Sequence, residues 1–172
     1  VAVARADAIQ KDRKVARAMV VDCDVHQGNG TAAIFRKDPD VFTLSIHQAG
    51  NYPAWKPPSD LDINLEDGTG DAEYLERLGK GLLGSLEKFT PEVLFYLAGA
   101  DPYAGDQLGG LRLTVEGLLA RDRLVLCAAR ERQIPVCIVL AGGYAENVED
   151  TVTIHANTVR VTKELLGSSR AS

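Results

Sequence analysis

The chain has little histidine, cysteine or aromatic side chain, and each shortage narrows what it can do. Its three cysteines (Cys23, Cys127, Cys137) form no CxxC pair among 172 residues, which excludes a disulfide framework and a thiolate zinc knuckle. Each sits in an apolar stretch, the setting of a buried, reduced thiol, so an intracellular, cytoplasmic protein is expected. An excess of positive charge is also missing: acidic residues outnumber basic ones 24 to 19, for a net charge of −5. A nucleic-acid groove needs clustered Lys and Arg, whereas Lys11, Arg13, Lys14 and Arg17 read as the solvated face of an early helix. No apolar run reaches the ~18 residues of a membrane span. A partner that is neither nucleic acid nor membrane is therefore expected. At 172 residues and 45% hydrophobic composition, the chain has the size of one domain with a substantial core, expected to span 1–172. It begins at Val1 inside an Ala-rich stretch of helical pattern. Because domains seldom start within a helix, we expect a fragment whose upstream part is absent.

What is present alternates. Residues 1–17 are helical in pattern and lead into a strand at about 18–24. A short helix follows at 31–37, then a β-rich run, 41–47. The Gly- and Pro-punctuated loop 48–59 carries Tyr52 and Trp55, and 61–65 alternates like a short edge strand. Further on, the pattern predicts a helix at about 71–88, a buried strand at 93–98, a helix at about 114–132, a strand at 135–140 and a last helix at about 147–166. Strands that are continuous apolar runs, alternating with helices, indicate an α/β domain with a mainly parallel sheet.

The chemistry gathers at strand ends. Val20-Val21-Asp22-Cys23-Asp24-Val25-His26 runs into a glycine turn, and on extended backbone Asp22, Asp24 and His26 share one face. Two carboxylates and an imidazole at the mouth of a buried strand are costly to desolvate without a positive charge among them. A divalent metal answers that need, since both group types are zinc ligands; a hydrogen-bonded strand end without an ion is the competing reading. Sites in open parallel sheets form beyond the carboxyl ends of strands. Two more strands end in Asp101 and in Gly142-Gly143-Tyr144. Three ligands with an open position describe a catalytic zinc site, and a phenol freed by two glycines suits an oxyanion. Asp101 before Pro102 could instead cap a turn. His47 is expected to be a supporting residue at a polar rim, and His155 to be exposed or structural. Tyr52 and Trp55 either line a channel or merely pack.

The string Asp22-Cys23-Asp24-Val25-His26-Gln27-Gly28-Asn29-Gly30 resembles the metal-binding segment of histone deacetylase-type amidohydrolases. Gly99-Ala100-Asp101-Pro102-Tyr103-Ala104-Gly105-Asp106 and Gly142-Gly143-Tyr144 are similar to that family's next two signatures, in order. The variant Gln27 to Gly30, with Asp106 to Leu111, looks closest to the class IV branch and its bacterial relatives. The resemblance implies an arginase/deacetylase three-layer α/β/α sandwich with a mainly parallel sheet, its N-terminal strands missing here. It implies Zn2+ on Asp24, His26 and Asp101, with Tyr144 polarising the acyl carbonyl. Asp22 and Ser45, with main-chain oxygens of Asp24, His26 and Ile46, would hold a monovalent cation, usually potassium (K+). Leu108 to Leu111, Gly142 and Gly143 would line the acyl channel. The expected activity is zinc-dependent hydrolysis of an acylated amine, an acyl-lysine side chain or an acylpolyamine. One departure stands out. The family carries a His-His pair upstream as general base, but the histidines here are His26, His47 and His155 alone, so this chain is expected to bind metal and turn over poorly. Two alternatives remain: a non-catalytic metal- or acyl-ligand-binding module, and an arginase-type ureohydrolase, which would use Asp-x-His-x-Asp rather than Asp-x-Asp-x-His.

Overall fold

The computed structural model describes residues 15–167. Along them run β1 (Ala18–Asp22), α1 (Asn29–Phe35), β2 (Val41–Gln48), β3 (Leu61–Leu65), α2 (Asp71–Lys88), β4 (Val93–Gly99), α3 (Val115–Glu131), β5 (Val136–Ala141) and α4 (Val148–Gly167). The helix expected over 1–17 lies outside the described residues except for Val15, Ala16 and Arg17, which take no regular structure. Every other expected element is found, with boundaries shifted by two residues at most. The shift that matters is at β1, which stops at Asp22 rather than at residue 24.

All neighbouring strands pair in parallel, in the order β3-β2-β1-β4-β5. The chain builds outward from β1 through β2 to β3, then returns to place β4 on the other side of β1. Strand order therefore reverses between β1 and β4, and a crevice opens beyond their carboxyl ends. In register, Asp22 stands between Ser45 of β2 and Leu97 of β4.

One sheet face is thickly covered. Alternate residues Met19, Val21, Cys23 and Val25 join Leu44, Ile46, Leu94 and Tyr96 in a core shared with α2, α3 and α4. Helix α2 reaches it because Tyr74, Leu78, Leu82 and Leu86 recur at every fourth position, a single apolar stripe. Helix α3 starts where the Thr114 side chain accepts from Gly117 N–H, satisfying one of its free donors. On the opposite face a smaller cluster joins Ala18, Val20, Val41, Val93 and Phe95 to Phe35 of α1. Among the described residues, α1 represents the second helical layer of the α/β/α arrangement. Strand β5 is half-buried along its length. Of the three cysteines only Cys23 is buried; Cys127 and Cys137 are intermediate in burial, Cys137 because β5 is the last strand of the sheet and is covered incompletely.

Candidate metal centre

The turns leaving β1 and β4 meet at the crevice. Past Asp22 the regular strand ends: Cys23 N–H makes a last bond to the Leu97 carbonyl of β4 at 3.0 Å, and two side-chain bonds then shape the turn. Asp22 Oδ1 accepts from Asp24 N–H at 3.1 Å, and Asp24 Oδ1 accepts from His26 N–H at 2.9 Å. Such local carboxylate bonds offer the backbone an alternative to the sheet ladder. Alternation nonetheless persists, with Cys23 and Val25 in the core and Asp24 and His26 turned to the crevice. From β4, Asp101 Oδ1 accepts from Val25 N–H at 2.9 Å. His26 Nδ1 then lies 3.0 Å from Asp24 Oδ1 and 3.3 Å from Asp101 Oδ2. One ligand atom from each of Asp24, His26 and Asp101 falls within 4.8 Å of the other two. Gly99 permits the approach: a Cβ there would stand 2.6 Å from Asp24 Cα.

The donor set fits a divalent cation. Asp22 and Asp24 are pushed up to about 8 and about 6, in both cases chiefly by burial, with neighbouring carboxylate charge adding to the rise. His26 is drawn up to about 9, foremost by its hydrogen bond to Asp101 and then by Asp24. The pocket thus resists its own negative charge and recruits a proton onto the imidazole to offset it. A cation among these three groups would do the same work without the proton.

A third segment closes the site. Gly142 (φ 57°) and Gly143 (φ 120°) adopt backbone conformations that side chains disfavour. A Cβ on Gly142 would collide with the Asp101 carboxylate, and one on Gly143 would sit 2.6 Å from Thr151 Cγ2. The turn therefore lies against a member of the metal set and presents Tyr144, 65% exposed, at the surface. Asp106 holds it there. Its Oδ2 accepts from Tyr144 N–H at 2.6 Å, and its Oδ1 accepts from Leu108 and Gly109 N–H at 2.8 and 2.9 Å. One buried carboxylate ties the tyrosine to the exposed Leu108.

Other expected residues fall as follows. Asp22 and Ser45 are buried side by side in register, next to Gly28. His47 is no rim residue. It is fully buried, its Nδ1 2.9 Å from Ser45 Oγ and its Nε2 without a hydrogen-bond partner among the described residues. Burial holds its pKa below the usual histidine value. His155 is half-buried on α4. Tyr52 and Trp55 are exposed, so neither packs as ballast. Sequence reasoning overlooked Gln48. Its Oε1 accepts from Gly110 N–H and Asn51 Nδ2, both at 2.8 Å, while Nε2 donates to Asp67 at 2.7 Å. A glutamine ending a buried central strand was the available signal. Asp106 was seen only as part of a motif; a carboxylate followed by Gly109 and Gly110 was the hint that it caps a loop.

The family model for the histone deacetylase domain matches residues 1–159. The chain is 43% identical over 157 residues to an uncharacterized protein of Picosynechococcus, covering 91% of this chain and 52% of that one. It is 32% identical over 144 residues to a histone deacetylase-like amidohydrolase of Pseudomonas aeruginosa, covering 77% and 38% respectively. Among solved structures, an acetylpolyamine aminohydrolase from Burkholderia pseudomallei superposes with a TM-score of 0.80 at 26% identity, over 95% of this chain and 49% of that one. The chain spans about half the length of the first of these relatives, and less of the second.

Proposed function

The chain belongs to the histone deacetylase family, and from that footing we propose that it carries the metal-binding half of a zinc-dependent deacylase acting on N-acyl amines. The observation behind this reading is the convergence of Asp24, His26 and Asp101 from two strand ends, with the Gly142-Gly143-Tyr144 turn laid against Asp101. Zn2+ would be held by the two carboxylates and the Nδ1 that faces them; when bound, it polarises a carbonyl and acidifies a neighbouring water. Asp24 and Asp101 supply the negative charge that retains it. Val25 N–H orients Asp101, and Asp24 accepts from the His26 main-chain N–H, which fixes the turn that carries the ring. Tyr144 donates its phenolic proton as a hydrogen bond to the acyl oxygen as charge develops there. Leu108, Gly142 and Gly143 border the approach of the acyl chain. Asp22 and Ser45 are the proposed ligands of a monovalent cation, K+, whose charge would offset the buried Asp22 carboxylate.

His47 is enclosed and His155 lies on α4; neither is assigned the role of taking the attacking water's proton. The net charge of −5 draws cationic substrates and so suits an acylated polyamine, which keeps charged amines beside its amide; the match to an acetylpolyamine aminohydrolase supports the same class. In the protein expressed from its complete coding sequence, we expect one zinc per site and hydrolysis of acetyl-lysine and acetylpolyamine reporters. Asp101→Ala should abolish both. Absence of zinc, together with full activity in that variant, would overturn the reading; zinc uptake without turnover would favour the binding-module alternative.

A further inference from the structure

Behind the crevice lies a charged pair that the proposed chemistry does not use. Arg121 of α3 is 0% exposed, as is Asp122 beside it. Arg121 Nε and Nη2 donate to Asp122 Oδ1 at 3.1 and 2.9 Å. Asp122 also accepts from the Tyr96 hydroxyl at 2.5 Å and from the Thr158 hydroxyl at 2.6 Å. The guanidinium carbon stands 5.9 Å from the centroid of the Tyr96 ring. The remaining nitrogen points the other way. Nη1 donates to the carbonyl of Gly99 at 2.5 Å and to that of Cys23 at 3.4 Å.

Those two carbonyls are mechanically placed. Gly99 is the last residue of β4, two before Asp101; Cys23 directly follows β1 and directly precedes Asp24. A peptide unit is rigid, so holding the Cys23 carbonyl also aims Asp24 N–H, which donates to Asp22 Oδ1. Holding the Gly99 carbonyl aims Ala100 N–H, which donates to the carbonyl of Ala141, just ahead of Gly142. Arg121 Nη1 therefore joins the turns that carry Asp24 and Asp101 directly, and reaches the one that carries Tyr144 through the bond from Ala100 to Ala141. Filling space would not call for a charge: well-packed apolar side chains often replace buried ion pairs without loss of stability. What apolar residues cannot do is donate to the Cys23 and Gly99 carbonyls.

We propose that Arg121, held in place by Asp122, is a positioning residue of the metal centre, its guanidinium bridging the Cys23 and Gly99 carbonyls to set the separation of the turns that carry Asp24, His26 and Asp101. The inference rests on the metal-site reading above. Arg121→Lys keeps the charge but replaces the fork with a point donor. Arg121→Met combined with Asp122→Leu removes the pair without stranding either charge. Thr158→Val removes a bond on the far side of Asp122 and leaves the carbonyl bridge intact. All three are made in the protein expressed from its complete coding sequence. Measurements are zinc affinity by chelator competition, the visible absorption of the cobalt-substituted protein, and the denaturation midpoint. Arg121→Lys and the double variant should lose zinc affinity by about 10–100-fold, the range for removing a group that orients metal ligands, with an altered cobalt spectrum. Thr158→Val should lower the midpoint while keeping affinity and spectrum. Wild-type zinc affinity in Arg121→Lys overturns the inference, as does a Thr158→Val protein that loses zinc in proportion to its midpoint. Failure of the wild type itself to take up zinc overturns the metal-site reading beneath it.

Discussion

Individual side chains here answer to their immediate neighbours more than to their own chemistry. Tyr144 is an unremarkable surface phenol until Asp106 fastens its main-chain N–H and two glycines lay its turn against Asp101. If its hydroxyl meets the developing oxyanion, Tyr144→Phe should cut kcat by roughly 10²–10³-fold, the usual cost of one oxyanion donor. Zinc content and the denaturation midpoint should stay unchanged, because the hydroxyl joins neither the metal set nor the core. Steady-state kinetics alongside metal analysis would check this. At this scale the sequence was readable where a residue type has few uses. Asp-x-Asp-x-His pointed to a cluster of carboxylates and imidazole, and the fold brings Asp24 and His26 together with Asp101. It was misleading for His47, since an imidazole at a strand end looks the same whether it faces solvent or Ser45.

Strands and turns decide how such residues are presented. Alternation along β1 carried over into the turn, so the sorting of Cys23 and Val25 from Asp24 and His26 was legible. The agent was not: after Cys23 N–H makes the last bond to β4, carboxylate-to-amide bonds shape the turn. The turn after β5 makes a sharper case. Gly142 has a φ of 57°, and a Cβ there would strike the Asp101 carboxylate. Gly142→Ala should therefore cost about 1–3 kcal/mol in backbone strain and also displace Asp101. The expected outcome is a lowered denaturation midpoint together with weakened zinc binding. A variant that lost stability alone would show that the turn and the metal set are independent. The fourfold spacing of Tyr74, Leu78, Leu82 and Leu86 announced α2 outright, because one stripe of apolar residues has few other ways to be buried.

For the molecule as a whole, the end of β1, packed beside Asp101, gathers three proton-binding groups whose shifts share a sign. Asp22 and Asp24 rise from 3.8 to about 8 and about 6, and His26 from 6.5 to about 9. Each binds its proton more tightly in the folded state than in the unfolded one. Their contribution to folding is therefore complete below the unfolded values and is lost as pH climbs through the folded ones. Metal-free protein should lose thermal midpoint between about pH 4 and pH 9 on this account. Zinc competes with the protons on Asp24 and His26, so its affinity should rise over their part of the interval, and the midpoint gained on adding it should be largest at the alkaline end. Thermal scans with and without zinc across that range would test both halves. A metal-free midpoint that rises toward pH 9 would contradict the arrangement.

Alternating apolar runs and amphipathic stretches were enough to specify a parallel α/β sheet and its elements, because period and local propensity act over a few residues. Strand order was beyond that reach. Only when β4 docks on the side of β1 opposite β2 does Asp101 arrive beside Asp24 and His26, 76 positions from the Val25 amide it binds. Arg121 is the plainest instance. In sequence it belongs to a helix of mixed charge; within the fold, with Asp122 to balance it, its fork reaches carbonyls 22 and 98 residues away. Burial turned an ordinary arginine into a link between strands, and burial is a property of the packed whole.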